Sequence, residues 1–556
     1  MIDNASISDS FSLLSKLSDI HGENEFKVKS YANAAFAIDK LTVQLSSLNP
    51  GEIASVRGIG SSNAQKIHEL FQSGKLESLD QLVKDTPPGV LDMLSIKGIG
   101  PKKIRTIWKE MEIESLGELL YACKENRLKL YKGFGEKTQQ QVIDNIEFFQ
   151  KNQGKFLFAQ AESLLPVFTD WLNDAFPNHP FLITGQYIQQ LEIIDYLTWV
   201  TTANVALVQE VLEATSGYDL KEKKDHFSVW STPVGPDWII HNTDSNSITE
   251  KVIELSCDEQ VWNRIKPNST IQALDEKSWF ELNKIPHIPA FVRDNIVHAE
   301  KFLSNDQPTY ITPENIHGII HCHSMWSDGK NTLKEMALEA IERKLDYMVI
   351  SDHSQSAFYA SGLTPERVKA QHKEIDQLNF ELAPFKIFKS IESDILGDGS
   401  LDYTQEILHQ FDLVIASIHS NLKMTEEKAM TRLLNAIQNP FTTILGHPTG
   451  RLLLSRNGYP VNHDQLIDAC VKHNVVIEIN AHPSRLDLDW RFISQAVQKN
   501  ALLSINPDAH QLEGFDDTRY GVFVAQKAML KPEKNLSSFK LDAIESFIET
   551  QKTKRR

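Results

Sequence analysis

The stretch Gly318–Gly329, GIIHCHSMWSDG, decides how the chain is read: an apolar run carries His321 and His323 and is followed by an acid, Asp328. Side chains on a strand alternate between faces, so residues two apart point the same way and both imidazoles can reach one cation. An HxH pair alone proves little. Six further apolar, β-branched-rich runs follow: YMVISDH (Tyr347–His353), FKIFKSIESD (Phe385–Asp394), LVIASIH (Leu413–His419), TTILGH (Thr442–His447), VVIEIN (Val475–Asn480) and LLSINPDAH (Leu502–His510). All but one end in residues suited to binding a metal. Helical patterns such as LKEMALEAIERK from Leu333 and EEKAMTRLLNAI from Glu426 lie between them. This alternation predicts a parallel sheet with crossover helices, and about seven repeats predict a closed barrel with functional residues at the carboxyl ends of its strands. Cys322 is expected to face the opposite side of its strand and to pack.

The segments HCHSMWSDG, SDHS, GLTPER, IESDILGDGSLDY, ASIHS, LGHPTGR, EINAHPSRLDL and INPDAH, within Ile311 to Val524, resemble the PHP (polymerase and histidinol phosphatase) domain in the form fused to bacterial family X DNA polymerases. The resemblance implies a distorted (β/α)7 barrel holding three divalent metal ions. One ion would take His321, His323, Glu392 and Asp508, and Glu392 would bridge to a second held by His419 and His447. The third would take Asp328, where some relatives have histidine, together with His353 and His510. Glu392, His323 and Asp508 carry the implied catalytic role. Imidazole mixed with carboxylate, and no thiolate, suits Mn2+, Zn2+ or iron better than magnesium or calcium. Arg451, Arg485 and Arg519 follow strand-end motifs and are candidates for clamping phosphate, with a surface salt bridge as the alternative for each.

At 556 residues the chain exceeds one compact domain, and its net charge of -17 offers no general basic coat, so any DNA-binding surface must be local. Four cysteines without paired spacing, Cys123, Cys257, Cys322 and Cys470, give no disulfide framework or zinc finger. The first residues lack a basic region followed by an apolar one, and no run of eighteen apolar residues occurs, so the protein is expected to be cytoplasmic, with no membrane partner.

From Ser8 to about Gln153 the periodicity is helical, interrupted by VRGIGSSNAQKI, IKGIGPKKIRTI and YKGFGEKTQQQV. Each sets glycine, apolar residue, glycine between helices: Gly58 and Gly60, Gly98 and Gly100, Gly133 and Gly135. Glycines permit the positive φ of a tight turn and let a phosphate approach the N–H groups at the next helix start. This resembles the helix-hairpin-helix, which grips the DNA backbone without reading sequence; Lys97, Lys102, Lys103 and Arg105 add local positive charge. The block also resembles the lyase-like and fingers regions of family X polymerases.

Next should come the palm, whose family motif GSxRRxxExxxDxD holds two catalytic magnesium ions on its aspartates. The matching stretch is GQYIQQLEIIDYLT, Gly185–Thr198: Gly185 and Glu192 fit, but Ile188 and Gln189 replace the arginines, and Tyr196 and Thr198 replace the aspartates. Asp195 is offset by one, and Asp237 is the nearest candidate for a third carboxylate. The chain therefore divides into a lyase-like helical domain (1–85), a fingers-like region (86–153), a degenerate palm and thumb (154–300), the PHP barrel (311–535) and a C-terminal helix with a basic, solvated tail (536–556). The fold class is multidomain, with a helix-hairpin-helix region, an α+β palm and the distorted barrel. The implied function is a DNA-binding phosphoesterase of DNA repair, a 3′-to-5′ exonuclease or 3′-end-cleaning enzyme, with no nucleotide polymerisation. The alternatives are a small-molecule phosphatase of histidinol-phosphatase type and a non-catalytic DNA-binding scaffold.

Overall fold

A computed structural model describes every residue except 1, 42, 125–127, 129–130, 153, 305–306, 455–456 and 556. The chain forms two compact units, Met1–Gln153 and Gly154–Arg556.

Every element of regular structure among the described residues of the first unit is a helix. Its opening pair, Asn4–His21 and Glu25–Asp39, is set off by side-chain caps: Asp3 accepts from the Ser6 N–H and Asn24 from the Phe26 N–H, with left-handed Gly22 between. Each cap satisfies a backbone donor that the helix itself leaves open. Phe11, Leu14, Tyr31, Ile38 and Ile67 fill one core, and Ile99, Ile104, Ile107, Phe134 and Ile146 belong to another. The first glycine of each hairpin turn is left-handed, with φ of 101° at Gly58, 88° at Gly98 and 92° at Gly133.

The second unit opens on a five-stranded sheet in the order Phe181–Thr184, Tyr196–Thr201, Asp237–Asn242, Phe227–Ser231, Asp219–Lys223. Tyr196–Thr201 runs parallel to Asp237–Asn242 and antiparallel to Phe181–Thr184. Alternation along these strands buries Trp199, Trp230 and Trp238 on one face, against the helix Phe158–Ala175. A helical linker follows, closed by the fully buried Arg293, whose guanidinium forks onto Glu276 at 2.5 and 3.1 Å.

The remainder alternates strand and helix, and every named strand pair in it is parallel. Three strands (Gly318–Cys322, Tyr347–Ile350, Lys386–Lys389) form one sheet and five (Glu392–Asp394, Ile415–Ser417, Ile444–Leu445, Val476–Asn480, Leu503–Asn506) another. The two fragments Lys386–Lys389 and Glu392–Asp394 are one sequence run, so the seven runs expected from the sequence are all present. At the seams the Glu392 N–H bonds Asp352 O (3.1 Å) and the His323 N–H bonds Ala509 O (2.8 Å), carrying the pairing round from the last strand to the first.

Ile320, Val349, Phe388, Ile415, Ile444 and Val476 join one buried cluster with Ile544 and Ile548 of the helix Leu541–Thr553. That helix crosses the amino ends of the strands, where Lys552 pairs with Asp412 (3.0 Å) and Arg555 donates to the carbonyls of Phe411 and Asp412. The basic end expected to be solvated is therefore seated, because its charges meet the Asp412 carboxylate and open carbonyl oxygens at the amino ends of the strands; residue 556 lies outside the described residues.

Candidate metal centre

At the opposite, carboxyl ends of the strands, the nine donors singled out in the sequence form one cluster, in which five imidazoles face the carboxylate of Glu392. Glu392 Oε1 lies 3.2 Å from His321 Nε2, 3.1 Å from His419 Nε2 and 3.0 Å from His447 Nε2. Glu392 Oε2 lies 3.0 Å from His353 Nδ1 and 3.7 Å from His323 Nε2. Asp508 Oδ1 stands 3.1 Å from His323 Nε2 and 3.5 Å from His321 Nε2. On the outer rim Asp328 Oδ2 is 3.6 Å from His353 Nε2 and 3.5 Å from His510 Nε2.

Three groupings within this cluster have donor atoms close enough to share an ion: His321, His323 and Asp508; His353, Glu392 and His419; and His323, Asp328, His353 and His510. Among the described residues, Glu392 Oε2, His321 Nε2 and His323 Nδ1 are buried without a hydrogen bond, a cost that a bound cation removes. The donor set, imidazoles and carboxylates in overlapping groups, fits divalent ions. Cys322 stays out of it: its thiol is buried in the outer packing and faces Val349 O.

His321 and His323 do reach one site, yet not by simple alternation. The pairing slips between Ile320 and Cys322, and His321 takes a left-handed backbone at φ 63°. His447 (φ 23°) and Asp508 (φ 53°) also have positive φ, so the main chain aims three of the donors. Gly329 closes the loop that carries Asp328, because a Cβ there would lie 2.1 Å from His323 O.

Carboxylates that the motif reading passed over set the histidines. His321 Nδ1 meets Glu478 Oε1 at 2.6 Å, and Glu478 Oε2 accepts the His447 N–H at 2.6 Å. Asp394 holds His419 Nδ1. Buried Asp352 accepts from Ser324 (2.8 and 2.7 Å) and Gln371 (2.6 Å), fixing the start of the Asp328 loop. Such partners fix ring orientation and tautomer. The signal was present, since Glu478 interrupts the apolar run VVIEIN at a position whose alternation matches Val476 of the inner cluster.

Opposed charges at this density shift protonation strongly. Burial would raise the Glu392 carboxyl, but His419, His321 and His353 hold it well below the usual range. Burial opposes charge on His321, yet Glu478, Asp508 and Glu392 raise it well above an ordinary histidine. Against burial, Glu392 and Asp394 lift His419 to about 10, and Asp328 and Asp508 lift His510 to about 9. His323 is pushed down to about 3 by burial and by neighbouring His353 and His510.

A cleft of about 280 Å³ opens over the cluster, lined by His353, Glu392, His419, Arg485, Asp508 and His510. Of the three candidate arginines only Arg485 reaches it, with Nε 3.7 Å from Asp508 Oδ2. Arg451 is committed to Asp489 and to the carbonyls of Arg485 and Leu486, and Arg519 pairs with Glu162 at 2.6 Å. Both take the salt-bridge alternative because carboxylates distant in sequence fold against them.

In the α+β sheet, Tyr196 and Thr198 stand beside Asp237 and Ile239 on the neighbouring strand. Asp237 is paired with Lys221 at 2.5 Å, and Asp195 is held by Gln186 (3.1 Å) and Lys155 (3.4 Å). In the helical unit Gly60, Gly100, Gly133 and Gly135 have open space where a Cβ would stand, so the turns present bare backbone. Lys102 lies 3.5 Å from Glu25 with both side chains exposed, and Lys103 Nζ donates to Gly98 O at 3.4 Å.

Models of known families match three parts of the chain: a helix-hairpin-helix domain at residues 2–76, a SAM-like helix-hairpin-helix tandem at 90–147 and a PHP domain at 320–482. The chain is 31% identical over 553 residues to the "DNA polymerase/3'-5' exonuclease PolX" of Bacillus subtilis (strain 168), covering 95% of this chain and 96% of that one. It is also 28% identical over 173 residues to a probable phosphatase of Caldanaerobacter subterraneus subsp. tengcongensis, covering 29% of this chain and 60% of that one. A probable phosphatase of Syntrophotalea carbinolica is 27% identical over 226 residues, 39% of this chain and 89% of its own.

Proposed function

The chain belongs to the family X DNA polymerases that carry a C-terminal PHP domain, and on that premise we propose that it is a cytoplasmic phosphoesterase of DNA repair, a 3′-to-5′ exonuclease or 3′-end-processing enzyme without polymerase activity. The observation that carries this reading is the convergence of five imidazoles on buried Glu392, with Asp508 beside them and Asp328 and His510 on the rim. His321, His323, Glu392 and Asp508 would hold one ion, Glu392, His419 and His447 a second, and Asp328, His353 and His510 a third. Divalent ions bound there, Mn2+ or Zn2+ with iron as a further fit, supply Lewis acidity to the phosphoryl oxygens and to water.

The chain's own groups do the rest. Glu478 and Asp394 orient His321 and His419, Arg485 offers its guanidinium to a non-bridging phosphate oxygen in the cleft, and the buried floor excludes bulk water. The helix-hairpin-helix turns hold the DNA backbone without reading sequence. Loss of synthesis rests on Tyr196 and Thr198, which offer no anionic charge where the family motif has aspartates, and on the engagement of Asp237 by Lys221.

Similarity of the barrel to proteins named probable phosphatases favours a second reading, hydrolysis of a small phosphomonoester. The test is incubation of the protein and manganese with a labelled primer–template, with and without nucleotides. Shortening without extension is expected. Template-dependent addition abolished by changes in the palm would refute the loss of synthesis, and hydrolysis of small phosphomonoesters with DNA left intact would favour the second reading.

A further inference from the structure

We propose that Glu192, in the degenerate palm segment, is a positioning residue for the cleft, holding Arg485 in place through a chain of ion pairs. This rests on the phosphoesterase reading and on Arg485 as its phosphate contact. Glu192 is 6% exposed, and both its oxygens face the barrel: Oε1 lies 2.5 Å from an Arg491 guanidinium nitrogen and Oε2 accepts from Trp490 Nε1 at 3.0 Å. The same Arg491 nitrogen lies 3.1 Å from Asp489 Oδ1. The other oxygen of Asp489 is 2.5 Å from Arg451. Arg451 in turn donates to the backbone carbonyls of Arg485 (2.9 Å) and Leu486. Signs alternate at every link, Glu192, Arg491, Asp489, Arg451, and the last cation clasps the backbone from which Arg485 enters the cleft.

The clasped segment needs outside support. Leu486 is left-handed at φ 44°, a conformation that strains a non-glycine residue and persists where its surroundings hold it. Without Glu192, the half-exposed Arg491 is free to turn to solvent, and the Asp489–Arg451 pair loses its side-chain support, keeping only the Arg491 N–H that Asp489 caps at 2.9 Å. The palm itself would remain seated, because Lys527 of the barrel, which feels Glu192 only through space, donates to Gln189 O (3.0 Å) and Phe291 O (3.0 Å) and pairs with Asp294 at 2.7 Å. Removing Glu192 thus leaves the palm attached through Lys527 while it cuts the relay to the cleft. The palm motif has kept its glutamate while its metal aspartates are gone, and this relay gives that residue a task in hydrolysis.

The experiment is a double-mutant cycle on the full chain loaded with manganese, with bis(4-nitrophenyl) phosphate as substrate. Glu192→Ala should lower kcat/KM about tenfold, as displacement of a clamping group does, with manganese content and melting temperature close to wild type. Glu192→Gln, which keeps a hydrogen-bonding oxygen, should recover part of the loss. In an Arg485→Ala background, Glu192→Ala should cost less than about twofold, the mark of two residues acting through one contact. As a control, Glu162→Gln breaks another ion pair between the same two regions, Glu162 with Arg519 at 2.6 Å, and should leave the rate unchanged. Multiplicative losses in the cycle, or an equal loss in the control, would overturn the relay. A wild-type protein that binds manganese and hydrolyses nothing would overturn the phosphoesterase reading, and the relay with it.

Discussion

Loading metal into the stripped protein should expel about three protons per chain at pH 7.5. The count comes from the three imidazoles that facing carboxylates overcome burial to keep charged: His321, raised well above its ordinary value, His419, at about 10, and His510, at about 9. Each must give up its proton to offer a lone pair, whereas His323, at about 3, is already neutral. A raised histidine stabilises the metal-free protein fully below its unfolded value near 6.5 and loses that contribution as pH climbs through its folded value. The stripped protein should therefore soften between pH 7 and 10, and the rise in melting temperature on adding manganese should grow over the same range. The overall constant for loading all three ions should climb by about three decades per pH unit below pH 9, about one for each ion, since each displaced proton contributes about one. Titration of EDTA-stripped protein with MnCl2, by calorimetry in buffers of different ionisation heat, measures the release directly. Fewer than one proton released at saturation, or an affinity flat between pH 6.5 and 8.5, would show that these histidines are not the ligands.

Replacing Glu392 with Ala should abolish both bound manganese and phosphodiester hydrolysis while the helical spectrum of the N-terminal unit persists; metal analysis beside a nuclease assay checks this, and wild-type values in both would refute the shared-carboxylate site. Deleting residues 1–150 should weaken DNA binding and flatten its salt dependence more than it slows a small chromogenic phosphodiester, measured by anisotropy and absorbance. Glu276→Gln should destabilise the second unit by about 2 kcal/mol at pH 7, a figure set below the cost of breaking a fully buried pair because Glu276 is a third exposed beside buried Arg293. Against burial, His287 and Arg293 hold the Glu276 carboxyl at about 2, so its contribution is present above pH 4.5 and lost as pH falls towards 2. Thermal melts of the variant and wild type should accordingly converge in acid.

The strand runs and their terminal donors were legible because two local signals coincided, β-branched apolar runs and a histidine or acid at the end of almost every run. What escaped depended on partners far along the chain. Strand alternation brought His321 and His323 to one face on paper, but the slip beside Cys322 is set by pairing with Tyr347–Ile350, which local sequence does not encode. Arg451, Arg485 and Arg519 look alike in sequence; Asp489 and Glu162 decide which of them is left for the cleft. Arg555 read as solvated because its acceptors, the carbonyls of Phe411 and Asp412, lie more than a hundred residues away.

The left-handed backbone at His321, His447 and Asp508 ties the conformation of the site to the identity of the residues that stand there. Glycine takes such a conformation freely, while other residues are strained by about 1–2 kcal/mol apiece. Glycine at these positions would relieve that strain but would strip buried Glu478 of His321 and buried Glu392 of His447, a larger cost than the strain removed. The strands of the five-stranded sheet that opens the second unit contain no residue of positive φ and carry no comparable penalty. Residue identity at 321 and 447 is therefore fixed jointly by backbone and buried charge, a demand that the strands of that sheet do not make.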